Sequence, residues 1–410
     1  MKYEKQEVMQ YVSEEDVKFI RLAFCDVFGK QKNISIMPGE LERAFTYGIS
    51  IDASAINGFG GDVRSDLFLH PDPDTLTVLP WRPEHGKVVR MFCTVTYPDG
   101  RIFENDPRSI LREAVKKADE AGYTFYFGPE TEFYLFRPDE SGNPTKIPYD
   151  NAGYMDIAPD DKGENVRREI CLTLEQMGIR PESSQHKAGP GQNEIAFRYS
   201  DALTAADNAM AFSTVVKVVA ARNGLCADFS PKPLEGKPGN GMHINISVVG
   251  KDKSRPLPEM IAGILEKAAE MTVFFNPCEE SYLRLGRDKA PKYITYSYEN
   301  RSQLIRIPSA CAACAACAGS ERAELRSPDP SANPYIVFAL LIYAGLYGIE
   351  NKLPLPEAAE LNLYTAAEKT LKQYKKLPQS LSEAAAIAQK SEFISRHLPE
   401  TLVASYCKGL

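Results

Sequence analysis

The chain has 410 residues, 43% of them hydrophobic, enough to bury a large core in two domains or in one large domain with a small addition. Its 48 Lys+Arg against 55 Asp+Glu give a net charge of −7 without any block of like charge. That balance gives no support to a nucleic-acid footprint and leaves small molecules or further copies of the chain as partners.

The opening segment, MKYEKQEVMQYVSEEDVKF, is charged throughout, so no secretory signal or membrane anchor is expected and a cytoplasmic location follows. Val17 to Ile36 reads as a hairpin around VFGK, and further strands are expected in TLTVLPW and in VVRMFCTVTYPDGRIF, which bends at Pro98-Asp99-Gly100. Asp106 is placed to cap a helix whose first residue is Pro107. A domain boundary is therefore set near Asn105, giving an N-terminal domain over 1–105 and a second domain over 106–410. From there, strands alternate with amphipathic helices in DPRSILREAVKKADEAG, ENVRREICLTLEQMG and DALTAADNAMAFSTVVKVVAARNG, an α+β pattern. The apolar run YIVFALLIYAGLYGI has about fifteen residues against the roughly twenty that a bilayer requires, and Asn333-Pro334 caps its start, so it reads as a buried helix. Nine cysteines in a chain without a signal argue for reduced thiols. Cys311, Cys314 and Cys317 have part of an iron–sulfur spacing, but the fourth cysteine is missing and a small-residue loop is the better reading.

Chemistry gathers in three strand-like segments. In GPETEFYLF, Glu130 and Glu132 stand two apart and project from one face, while Phe125, Phe127, Phe133 and Leu135 occupy the other. An exposed strand could carry such a pair, but one set in a core calls for a cation. GMHINIS aligns His243, Asn245 and Ser247 behind a glycine-rich approach; alone, that histidine would suit a satisfied core position. ERAELRSPDP aligns Arg322, Glu324 and Arg326, an alternation suited to binding phosphate or carboxylate beside a metal. Glutamates with one histidine and no thiolate suit magnesium or manganese. Arg284, Arg287, Arg301 and Arg306 add either phosphate clamps or a solvated basic face. In SSQHKAGPGQNEI, a strand, a glycine-proline turn and a second strand carry Glu194 toward the same chemistry, with Lys187 seven residues before it.

Together, GPETEF, KPLEGKPGNGMHINIS and NRSQLIRIP…RAELRSPDPSANPY resemble the glutamine synthetase family of the bacterial class I kind, in order and over essentially the whole chain. The resemblance implies a small N-terminal β-grasp domain and a large catalytic domain on a curved antiparallel sheet. It also implies a homo-hexamer or dodecamer with active sites shared between subunits. Glu130, His243 and Glu324 would hold the metal on the ATP phosphates, and Glu132 and Glu194 a second. Arg284 and Arg326, with Gly239, would bind glutamate; Arg301, Arg306 and Arg322 would act on ATP, with Tyr199 and Ser247 near the nucleotide. Asp52 and Tyr154 would belong to the ammonium pocket.

Two positions depart from the family pattern: Lys187 and Lys289 stand where glutamates are usual, so a cation-attracting pocket has changed sign. Lys187 is expected to pair with Glu132 and Glu194 in place of the second metal, to swing away, or to be neutralised. The segment before Arg322 is also longer than usual, with Gly319 at an expected basic position, and the chain stops at ASYCKGL, short of the family's common C-terminal extension. Three readings follow: a glutamine synthetase using ATP, glutamate and ammonia; a γ-glutamyl ligase for another, acidic amine; or a non-catalytic homologue.

Overall fold

The computed structural model describes residues 3–60, 65–81, 86–309 and 321–408. Cys311, Cys314, Cys317 and Gly319 lie outside the described residues.

After a short helix, α1 (Lys5–Glu14), the first sheet is built from β1 (Val17–Cys25), β2 (Gln31–Ile36), β3 (Ile49–Asp52), β4 (Asp66–Pro71), β5 (Thr77–Val78) and β6 (Lys87–Thr96). Its order is β2-β1-β6-β4-β3, with β5 beside β6. The β1–β2 hairpin forms as read, with Cys25 opposite Gln31. TLTVLPW yields only the two-residue β5, and the strands β3 and β4 carry no long alternating pattern to announce them.

A helix, α2 (Leu41–Tyr47), bridges two of these strands, and α3 (Pro107–Glu120) opens the second part. Asp106 stands at the N-cap position of α3, but its carboxylate does not cap a helix amide. It accepts instead from Ser109 Oγ at 2.6 Å and the Val95 amide at 3.3 Å, because burial brings the last strand of the first sheet within reach.

The second sheet comprises β7 (Tyr123–Pro138), β8 (Pro144–Pro148), β9 (Pro181–His186), β10 (Gln192–Phe197), β11 (Ser200–Asp201), β12 (Cys226–Asp228), β13 (Met242–Gly250), β14 (Tyr296–Tyr298), β15 (Ile305–Ile307) and β16 (Ala323–Leu325). Its order is β14-β15-β16-β13-β7-β10-β9, with β8, β11 and β12 also on β7. It is antiparallel except that β14 and β15 run parallel.

The odd-numbered residues of β7 form the core side of this sheet. Phe127 stacks on Phe338 at 4.4 Å, and Phe133 meets Phe212 edge-on at 6.1 Å. Phe212 lies on α5 (Ala202–Arg222), which follows α4 (Glu164–Gln176). The remaining support is α6 (Leu257–Phe275), α7 (Glu279–Arg284) and α8 (Pro334–Glu350). The helix α8 is the apolar run read as buried, and nearly all its side chains are enclosed. Among the described residues, no helix is long and apolar enough to cross a membrane. Two glycines allow α6 and α8 to touch: a Cβ on Gly348 would stand 2.0 Å from the Glu259 carbonyl, and one on Gly263 would stand 2.1 Å from that of Ala344. At the N-cap of α8, Asn333 accepts from the Tyr335 amide at 3.1 Å and donates to the Val27 carbonyl at 3.0 Å, tying the helix to the first sheet. With the odd face of β7 sealed, its even-numbered carboxylates face the opposite side.

Candidate active site

Strand register assembles the site. Glu130 lies opposite His243, Glu132 opposite Glu194, Asn245 opposite Glu324, and Glu324 opposite Arg306. Partners in an antiparallel ladder project from one face about 5 Å apart. Five adjacent strands therefore deliver carboxylates, an imidazole and a guanidinium to one surface.

The glycine-rich approach before β13 has a direct purpose here. The Gly241 amide donates to Glu132 Oε2 at 2.7 Å, and a Cβ on Gly241 would meet His243 Nε2 at 2.6 Å. A Cβ on Gly239 would meet the Pro231 carbonyl at 2.3 Å, so only glycine admits this path along the pocket wall.

The resulting pocket has a volume of about 400 Å³ and is lined by Glu130, Glu132, Glu194, His243 and Glu324, with Tyr154, Lys187, Gly239, Arg284, Lys289, Arg301, Arg306 and Arg326 around them. Arg287 and Asp288 also line it, so cationic side chains outnumber carboxylates.

Ligand atoms of Glu130, His243 and Glu324 all lie within 4.8 Å of one another. Burial, with the charges of Glu194 and Glu324, pushes the Glu130 carboxyl up to about 7, the response of a carboxylate lacking a cation. Burial, helped by Arg326 and Arg284, holds the His243 imidazole well below its ordinary value, leaving a neutral ring able to ligate. Burial also acts against the Glu324 carboxylate, but Arg326 and Arg306, which both donate to it, outweigh that and keep it ionised. These three residues fit a divalent cation.

The neighbouring pair does not fit one in the same way. Lys187 Nζ stands 3.1 Å from Glu132 Oε1 and 3.0 Å from Glu194 Oε2, where a second cation would stand. Burial disfavours its ammonium, yet the two carboxylates outweigh burial and hold its pKa well above the ordinary lysine value. Of the three expectations for Lys187, pairing is the one realised; the side chain neither swings away nor becomes neutral.

Lys289 is exposed and also lines the pocket. Its Nζ is 5.9 Å from the Tyr154 ring centroid, and that of Lys187 is 5.8 Å from the same ring. Asp288 and Lys289 adopt φ values of +46° and +73°, an uncommon left-handed pair for non-glycine residues. Lys232, 2.7 Å from Asp288, anchors this turn.

The other expected residues are distributed less evenly. Arg284 reaches the pocket but spends Nη1 and Nη2 on the Ser327 and Arg326 carbonyls, at 2.7 and 3.1 Å. Tyr199, Ser247 and Arg322 lie outside the pocket lining, toward one side: Tyr199 packs on Tyr126, the register partner of Ser247, and Arg322 Nε donates to Asn245 at 2.9 Å. Asp52 sits on β3 of the first sheet, exposed, with its carboxylate accepting from Ser54. A single chain does not bring Asp52 to the pocket.

Sequence reading assigned no role to Asn245, which donates to Glu130 Oε1 at 2.8 Å and joins the cation cluster to Arg322. It also passed over a buried network beneath the Lys187 wall. His186 Nε2 is 3.0 Å from Asp150, while Nδ1 faces the carbonyls of Gly153 and Lys187 at 2.8 and 2.7 Å. Acceptors at both nitrogens favour the protonated ring, and Asp150 raises its pKa against the effect of burial. With Arg167 on Asp161 as well, the Asp150–Asp161–His186 group already holds its cations and does not need a metal. The histidine preceding Lys187 was the only signal available in the sequence.

Phosphate chemistry beside a divalent cation is within reach of such a pocket, and comparison with known proteins narrows its class. Residues 16–98 match the family description "Glutamine synthetase, beta-Grasp domain" and residues 104–409 match "Glutamine synthetase, catalytic domain". The chain is 43% identical over 423 residues to a glutamine synthetase of Clostridium saccharobutylicum, covering 100% of this chain and 94% of that protein. It is 42% identical over 412 residues to one of Staphylococcus aureus strain Mu50, covering 97% and 91% respectively. Two solved structures, GmaS in complex with ADP and GmaS without ligand, superpose with TM-scores of 0.87 at 27% and 28% identity, each covering 98% of this chain and 94% of the other.

The protein is an ATP-dependent ligase, with a β-grasp domain ahead of a catalytic domain on a curled sheet. It belongs to the glutamine synthetase family, whose members use ATP and divalent metals, act on small substrates and typically oligomerise.

Proposed function

We propose that the chain is a glutamate–ammonia ligase that makes glutamine through γ-glutamyl phosphate, with domains over 1–105 and 106–410. Glu130, His243 and Glu324 would hold magnesium or manganese, which would supply charge neutralisation for phosphate chemistry. The observation that carries this reading is that three-residue cluster inside a pocket on which Arg301, Arg306 and Arg326 converge.

Arg301, Arg306 and Arg322 bind ATP and offset the charge that develops as the glutamate side-chain carboxylate attacks the γ-phosphorus and ADP leaves. Arg326 receives the substrate's α-carboxylate, held in place by Arg284 through its backbone contacts. Tyr199 and Ser247 border the nucleotide. Ammonia then attacks the acyl carbon, phosphate departs, and Asp52, supplied by a neighbouring subunit of a hexameric or dodecameric ring, takes up the proton with Tyr154 lining the entry. Lys187 contributes the fixed positive charge that a second metal would supply, and no step needs that metal. A cytoplasmic enzyme acting on small molecules follows.

A second reading, a γ-glutamyl ligase for an amine bearing an acidic group, draws on exposed Lys289 beside Tyr154. It is weakened because Lys187 is committed to two glutamates and cannot also receive that group. The non-catalytic reading does not account for the complete cation cluster.

The test is phosphate release from ATP with glutamate and magnesium or manganese, comparing ammonium with a panel of amines and amino acids, with the product identified by mass. Glutamine from ammonium supports the first reading. Turnover only with an acidic amine establishes the second, and ATP binding without turnover across the panel refutes both.

A further inference from the structure

A separate cavity of about 160 Å³ lies where the first sheet meets α5, and it shares no lining residue with the catalytic pocket. Arg90 of β6 forms one wall. Its side chain belongs to a residue only 7% exposed, and its Nε is sealed from solvent without a hydrogen-bond acceptor. Among the described residues, its guanidinium forms neither a hydrogen bond nor an ion pair; its contact is the Phe92 ring, 4.0 Å from Cζ.

The carboxylate whose charge Arg90 feels most is Asp207, but that group is already engaged. Its oxygens accept from Arg108 at 3.0 and 2.9 Å and from the Tyr335 hydroxyl at 2.6 Å. Burial pushes the Arg90 guanidinium down to about 10, which still leaves it charged at neutral pH. A buried guanidinium without an acceptor, facing an open volume, is a built anion receptor lacking its anion.

We infer that this cavity binds a small carboxylate of amino-acid size, seated on the Arg90 guanidinium. The planar fork of arginine matches a carboxylate bidentately. The volume is well below the roughly 300 Å³ at which sites for drug-sized ligands begin, so a nucleotide does not fit. Leu79, Met177 and the Trp81 indole supply an apolar wall for a short aliphatic tail. Gln31 and Thr214, themselves hydrogen-bonded at 3.3 Å, offer a carbonyl and a hydroxyl to an ammonium or amide at the far end. Arg21, opposite Arg90 in the parallel β1–β6 register, also lines the cavity.

Trp81 is the sole tryptophan of the chain, so its fluorescence reports on this cavity directly. The full-length protein is titrated with alanine, glutamine, succinate and inorganic phosphate while tryptophan emission is followed. A saturable change is expected with at least one of the three carboxylates. That change should weaken about tenfold or more in Arg90→Gln, the loss of a charged hydrogen-bonding partner. Ala211→Leu, which fills the cavity from α5 while keeping the Arg90 side chain, should abolish it and serves if Arg90→Gln does not fold. No saturable response to any carboxylate, a response to phosphate alone, or a wild-type response retained in either folded variant overturns the inference.

Discussion

Replacing Lys187 by glutamine tests the claim that an ammonium stands in for a divalent ion. Lys187 Nζ lies 3.1 and 3.0 Å from two carboxylates whose residues are 6% and 5% exposed. Each contact carries about 5 kcal/mol of attraction at an effective dielectric near 20, most of it offset by burying the three charges. Removing the cation leaves two carboxylates enclosed side by side, at a cost of about 3–5 kcal/mol. Burial already pushes the Glu194 carboxyl upward, so the variant relieves part of this by protonating it, and the loss falls toward the lower end at neutral pH. Manganese or magnesium should then enter the vacated position and restore stability, by about 2.7 kcal/mol at a hundredfold excess over its dissociation constant. Thermal unfolding with and without metal, combined with metal content per chain, reads both effects. An unchanged Tm in metal-free buffer, or one that metal raises no more than in the wild type, would refute the argument.

Three further outcomes follow from the same geometry. Lys187→Glu combined with Lys289→Glu should raise metal content by one ion per chain and increase ammonia-dependent glutamine formation; if both stay at the wild-type level, the change of pocket sign is immaterial. Glu130→Gln should lower ATP-dependent phosphate release on the order of a hundredfold, yet raise Tm slightly in metal-free buffer, because a carboxyl pushed up to about 7 by burial and two like charges is a source of repulsion; a fall in Tm contradicts this. His186 resists the effect of burial because Asp150 raises its pKa above the ordinary 6.5. Its contribution is thus fully present below that value and is lost as pH rises through the raised one. The Tm difference between wild type and His186→Gln should therefore be largest in mildly acidic buffer and shrink in alkaline buffer; a difference that grows with pH would show that the ring is not an imidazolium.

Much of the site was legible because strand periodicity is local. Glu130 and Glu132, or His243 and Asn245, fall on one face by virtue of a two-residue repeat, whatever the strand later pairs with. The buried helix α8 was equally plain from its length and its Asn-Pro start. Asp106 shows the limit: its position as a cap was readable, but the choice between a helix amide and the Ser109 hydroxyl depended on a strand from the other sheet. Arg284 was readable as a cation near the site, but not as one whose guanidinium is spent on two carbonyls.

The sequence by itself determined the family, the two sheet-forming parts and the set of side chains able to hold a cation and phosphate, since these depend on residue type and spacing. It also exposed the lysine anomaly, without resolving it. Only the tertiary structure decided where the Lys187 ammonium goes, because its partners lie on two strands and the outcome balances burial against two carboxylates at about 3 Å. The His186–Asp150 pair and the cavity beside Arg90 likewise arise from contacts between segments far apart in the chain. A sequence specifies which groups carry charge; which charges are buried, and beside what, is settled when the strands pair.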